Sequence, residues 1–200
     1  MAPVLSYITF PASETFIKEK DQARHTIEEL TKVDGIISSY VGLQVEEEGA
    51  KHGYLISTWQ SPEKLQAFRD SAGDKFNSIL STLTSGEITR YHFVASQRIP
   101  EPALESKVTE FVVGKPKAGQ SGDAFKAAAI KMSDALEAVG HGSAIGESID
   151  GSGAYLLAAG WDSSAQHWET AKKDPIPAID AEIKSIADIT ITHVSLTKRS

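Results

Sequence analysis

The chain has 200 residues, 40% hydrophobic and 24% charged, with a formal net charge of −7 and no cysteine. This is ordinary globular composition, with enough apolar material for a sizeable core. The acidic balance argues against nucleic acid and anionic membrane surfaces as partners. The lack of cysteine removes disulfides, thiolate metal sites and a cysteine nucleophile.

The N-terminal Met1-Ala2-Pro3-Val4-Leu5-Ser6 has neither the basic start nor the apolar run of a leader, and no stretch nears the ~18 apolar residues of a membrane span. A cytoplasmic setting is the expectation.

Val4 to Phe10 is short, apolar and β-branched, and reads as a strand. Ser13 then offers a helix N-cap, and Phe16, Ala23, Ile27 and Leu30 recur at helical spacing. Gly35 stands where that helix would stop. Two strands follow, Ile36 to Glu46 and Tyr54 to Trp59, joined by a turn-like segment at 47–53 that continues the acidic run Glu46-Glu47-Glu48. Ser61-Pro62-Glu63 opens a second helix, with a cap, a proline at the first helical position and acid in the first turn. A strand around Ile88 to Ala95 closes the set.

The same order then returns. Val108 to Val113 is a strand, Ser121 or Asp123 caps a helix, and Phe125, Met132, Leu136 and Val139 form its stripe before Gly140. Ser143 to Asp150 and Tyr155 to Trp161 are strands, Asp162-Ser163-Ser164 starts a helix, and a last strand runs around Ile189 to Thr197. Trp59 and Trp161 lie 102 positions apart, and His92 and His193 lie 101 apart. Two landmarks at nearly one offset predict an internal repeat. The expected divisions are residues 1–98, a proline-containing linker at 99–106, and residues 107–200.

Each half therefore predicts a ferredoxin-like βαββαβ unit, with both helices on one face of a four-stranded sheet. The fold class expected is α+β, two such units packed as a fused, pseudo-dimeric barrel with a chamber between the sheets. Such a chain has pseudo-two-fold symmetry as a monomer, and a homodimer stays open.

Tyr54-Leu55-Ile56-x-x-Trp59, followed by Ser61-Pro62-Glu63, resembles the dimeric α+β barrel superfamily, as does Tyr155 to Trp161 followed by Asp162-Ser163-Ser164. The groups it is most similar to are the antibiotic-biosynthesis-monooxygenase-like domains and the stress-responsive barrels, here in fused tandem form. The resemblance implies a small apolar organic ligand. It spans members that form quinones without a cofactor, degrade haem, cyclise polyketides, dehydrate, or have no known reaction.

Strand alternation supplies candidate residues. With Ile8 and Phe10 toward the helices, Leu5, Tyr7 and Thr9 face the chamber; with Phe111 and Val113 toward the helices, Val108, Glu110 and Val112 do. A carboxylate there is costly to ionise, which suits Glu110 to a general base. His92 and His193 hold equivalent places on the closing strands and are candidate proton carriers. His167, six residues after Trp161, resembles the helix histidine of the monooxygenase-like members; it is a chamber acid/base, a haem ligand or an exposed residue.

Tyr7, Tyr54, Tyr91 and Tyr155 are candidates to orient a polar group of the substrate. His25, His52 and His141 receive no role. The function expected is a small-molecule enzyme without cofactor or metal, acting by acid/base chemistry on a phenolic, quinone, polyketide or terpenoid-like substrate by cyclisation, dehydration or oxygenation. The alternative is a binding or scaffold protein without turnover.

Overall fold

The structure is a computed structural model of the full chain and describes residues 2–18 and 33–199. The expected stripe positions Ala23, Ile27 and Leu30, and His25, lie outside the described residues. The chain divides into two compact units: Met1–Val94 with Leu196–Ser200, and Ala95–Ser195. The eight strands follow the order β1-β3-β2-β8-β5-β7-β6-β4 of a closed barrel, and the fold class is α+β.

In the first unit, β1 (Val4–Pro11) pairs antiparallel with both β3 (His52–Trp59) and β4 (Thr89–Gln97), and β3 pairs with β2 (Ile36–Gln44). Val4 lies opposite Trp59, and Ser6 opposite His92. Helices α1 (Glu14–Lys18) and α2 (Pro62–Leu83) begin where the capping residues direct. Ser13 Oγ accepts from Phe16 N–H at 3.2 Å, and Ser61 Oγ from Lys64 N–H at 3.4 Å. Ile8, Phe10 and Leu55 bury against Phe16, Leu80 and Leu83, while Val4 and Trp59 bury against Leu65 and Phe68. Each such side chain contributes about 1.5–3 kcal/mol of burial free energy.

In the second unit, β5 (Val108–Pro116) pairs antiparallel with β7 (Tyr155–Trp161) and β8 (Ala187–Lys198), and β7 pairs with β6 (Ser143–Ser148). Val108 lies opposite Trp161, and Glu110 opposite His193. These pairings match Val4 with Trp59 and Ser6 with His92, so the strand registers of the two units coincide at these positions.

Two features depart from expectation, and one choice between expected caps is decided. Glu101–Leu104, inside the segment read as a linker, forms a short helix, α3, whose Ala103 and Leu104 are buried. Thr109 Oγ1 donates to the Ala103 carbonyl at 2.9 Å, which ties that helix to β5. Helix α4 (Gly122–Ala138) is capped by Ser121, not Asp123. The helix expected after Trp161 is two, α5 (Ser164–Thr170) and α6 (Ile176–Ile186), because Pro175 and Pro177 cannot continue an α5 hydrogen-bond ladder.

Candidate active site

Glu110 sits on β5 at an even spacing from Val108, so its side chain shares the face that carries Trp161. That face looks toward α4, α5 and α6. This corrects the expected register, in which Phe111 and Val113 met the helices and Glu110 met the other sheet. Fully buried Phe111 takes the opposite face instead. The reversal is tolerable because the buried carboxylate finds partners. Trp161 Nε1–H donates to Glu110 Oε2 at 2.9 Å, and His167 Nε2 lies 3.4 Å from Glu110 Oε1.

His167 reaches this position from α5, whose start is fixed by the Ser163 hydroxyl accepting from Gln166 N–H at 3.2 Å. Its other ring nitrogen, Nδ1, shares a 2.8 Å hydrogen bond with Nε2 of His193 on β8. All three side chains are buried, His193 completely. The result is a continuous line, Trp161–Glu110–His167–His193. With both rings neutral and protonated at Nε2, every donor in it points toward the carboxylate: His193 to His167, His167 to Glu110, Trp161 to Glu110.

The rings around the line are packed as well as bonded. His167 lies 4.9 Å from Trp161 and 4.4 Å from Trp168, centroid to centroid. His141, given no role from sequence, also packs on Trp161 at 4.1 Å, with Nδ1 3.0 Å from the Gly160 carbonyl. No spacing signal pointed to His141; the cross-strand position of Gly160 brings it in.

Glu110, Trp161, His167 and Trp168 border a cavity of about 80 Å³ completed largely by aliphatic residues such as Val112, Leu157 and Ile183. Trp168 is 49% exposed, so it stands between the cavity and solvent.

Of the four candidate acid/base residues, three therefore meet. The fourth, His92, is in the first unit, where it borders a different cavity with Ser6, Trp59 and Arg90. In that unit the frame is the same and the chemistry is different. Ser6 stands at the register position of Glu110 and Leu65 at the helix position of His167. Trp59 Nε1–H donates to Ser57 Oγ at 2.9 Å.

Three of the candidate tyrosines also meet. Tyr7 packs on Tyr54 at 5.9 Å and on Tyr91 at 6.3 Å, on the sheet face away from the helices of the first unit. Tyr155 does not share their setting. It lies six residues before Trp161, whereas Tyr54 lies five before Trp59. That single step turns Tyr155 to the helix face, against Phe125 at 5.1 Å. Burial, then the nearby carboxylates of Glu147 and Asp123, raise its phenol pKa.

No protein-family model matches the chain, and no curated protein matches it. Solved structures do. A candidate monooxygenase from Fusobacterium nucleatum superposes with a TM-score of 0.73 over 98% of this chain and 94% of its own, at 8% identity. An anthrone oxidase-like protein gives 0.68 over 98% and 91%, at 12% identity. A heme-binding protein from Thermus thermophilus gives 0.56 over 99% and 92%, at 10% identity. At these identities the likeness is one of fold.

The presence of heme-binding and chlorite dismutase structures among these neighbours corrects the expectation of a site without cofactor. The cavity at His167 does not fit a haem. A pocket for even a drug-sized ligand is roughly 300–1,000 Å³, against about 80 Å³ here.

Proposed function

We propose that the second unit is an oxidase- or monooxygenase-like enzyme for a small phenolic or enolisable substrate, with Glu110, His167 and His193 as its reactive centre. The observation that carries this reading is the buried line from Trp161 through Glu110 and His167 to His193, whose first three members border an apolar cavity.

The chemistry follows from the order of the groups. A substrate O–H or acidic C–H beside Glu110 gives its proton to the Glu110–His167 pair. Glu110 takes that proton, while His193 Nε2–H donating to His167 Nδ1 and His167 Nε2–H facing Glu110 Oε1 hold the acceptor in place. Trp161 keeps the carboxylate oriented throughout. The substrate is left as an electron-rich anion, the form that dioxygen oxidises. The aliphatic walls exclude water and strengthen each of these interactions. The cavity accepts a small molecule or one ring of a larger one; a polycyclic substrate requires Trp168 to swing outward.

The test is oxygen uptake with product mass analysis, using hydroquinone, anthrone and β-diketone compounds. Glu110→Gln keeps the shape and removes the proton acceptor, and its turnover should fall by about 10²–10⁴. Oxygen uptake by Glu110→Gln equal to that of the natural chain would sink this assignment.

A further inference from the structure

We propose that Glu110, His167 and His193 bind one divalent transition-metal ion as a two-histidine, one-carboxylate site. The inference goes beyond the enzyme reading, because metal binding needs no turnover.

One ring nitrogen from each histidine and one carboxylate oxygen all lie within 4.8 Å of one another, and all three residues are buried. Around an ion with bonds of about 2.0–2.2 Å, neighbouring ligand atoms stand roughly 3 Å apart. Two edges of the cluster are already near that, at 2.8 Å between the histidines and 3.4 Å from His167 to Glu110. An ion takes only one nitrogen of His167, so one of these spacings serves as an edge, and the widest spacing, within 4.8 Å, must close by roughly 1–2 Å through movement of the carboxylate or a ring.

The donor set is the facial arrangement that suits iron(II) and leaves positions open, and it also suits zinc. Trp161 Nε1–H donates to Oε2 of Glu110, the kind of outer support that orients metal-bound carboxylates. The cavity beside the cluster supplies room for a small ligand on the open side. The first unit shows that the frame stands without these ligands, since Ser6 and Leu65 take the places of Glu110 and His167.

The test uses the full, untagged chain, stripped with a chelator and dialysed against cobalt(II) or zinc(II) chloride. Elemental analysis should find one ion per chain, and cobalt should give visible ligand-field bands. Glu110→Ser and His167→Leu, which install the residues of the first unit, should each bind at least tenfold more weakly. His52→Gln, at an exposed histidine that opens β3, should bind like the natural chain.

Should a variant fail to fold, paramagnetic broadening by cobalt in the natural chain decides: selective loss of the His167 and His193 ring signals supports the site. No bound ion at about 100 µM free metal, or equal binding by the natural chain and both variants, overturns it. Binding without oxygen uptake supports the ion and sinks the enzyme reading; oxygen uptake by metal-free protein without binding does the reverse.

Discussion

Replacing Trp161 by phenylalanine should cost more than the same change at Trp59, and the two units make the comparison internally controlled. Both indoles are 2% exposed, end their strands at matching registers and pack on the residue six positions later, His167 or Leu65. The loss of buried area and the cavity left behind are therefore similar and cancel in the difference.

What remains is the indole N–H. Trp59 gives it to a neutral hydroxyl, Ser57 Oγ, and Trp161 gives it to the Glu110 carboxylate. Hydrogen bonds to charged groups contribute about 1.5–3 kcal/mol, against about 0.5–1.5 kcal/mol for neutral ones. Trp161→Phe should then be about 1–2 kcal/mol more destabilising than Trp59→Phe. Urea unfolding followed by far-UV circular dichroism measures both without relying on the deleted fluorophore. In a Glu110→Ser background the excess should vanish, because the charge that the indole served is gone. Equal losses in the natural background, or an excess that survives Glu110→Ser, would refute the claim that Trp161 supports a buried carboxylate.

Gly53 on β3 and Gly114 on β5 each lie beneath a phenylalanine: an added Cβ would stand 2.5 Å from the Phe10 ring and 2.6 Å from the Phe125 ring. Gly53→Ala and Gly114→Ala should each destabilise by about 1–3 kcal/mol through overpacking, seen as a lower urea midpoint. Arg98, at φ 60°, donates to Ser133 Oγ and to Asp134 Oδ1. Arg98→Ala keeps the left-handed backbone and loses both bonds, so a loss of about 1–3 kcal/mol is expected, and Arg98→Gly should lose less. Tyr155 has a raised pKa in the fold, chiefly from burial. Its stabilising effect is complete below the unfolded phenol value of about 10 and is lost as pH rises through the folded value. Tyr155→Phe should flatten the alkaline limb of a stability–pH curve, and an unchanged limb would contradict the assignment.

The fold was legible because its signals are local. Ser13, Ser61 and Ser163 announced helix starts, and Trp59 and Trp161 ended strands at one offset. The chemistry of Glu110, His167 and His193 was legible as residue types, but their meeting was not. It depends on which face of β5 carries even-numbered residues, a choice that apolar bulk at Phe111 and Val113 pointed the wrong way. Counting from the Trp would have settled it: Val108 opposes Trp161, so Glu110 two residues on must share its face. The same count separates Tyr155 from Tyr54, which similar local strings had made look alike. His141 carried no signal at all, because only the β6–β7 pairing sets it against Trp161.

The most direct test of the centre needs no substrate. Long-range proton–nitrogen correlation on protein labelled at the histidine ring nitrogens reports the bonding of each imidazole. The structure predicts a shared hydrogen bond between His193 Nε2 and His167 Nδ1, protection of both rings from solvent, and shifts in both on Glu110→Gln, with His52 unmoved. Two independent, solvent-exchanging rings that ignore Glu110→Gln would contradict it.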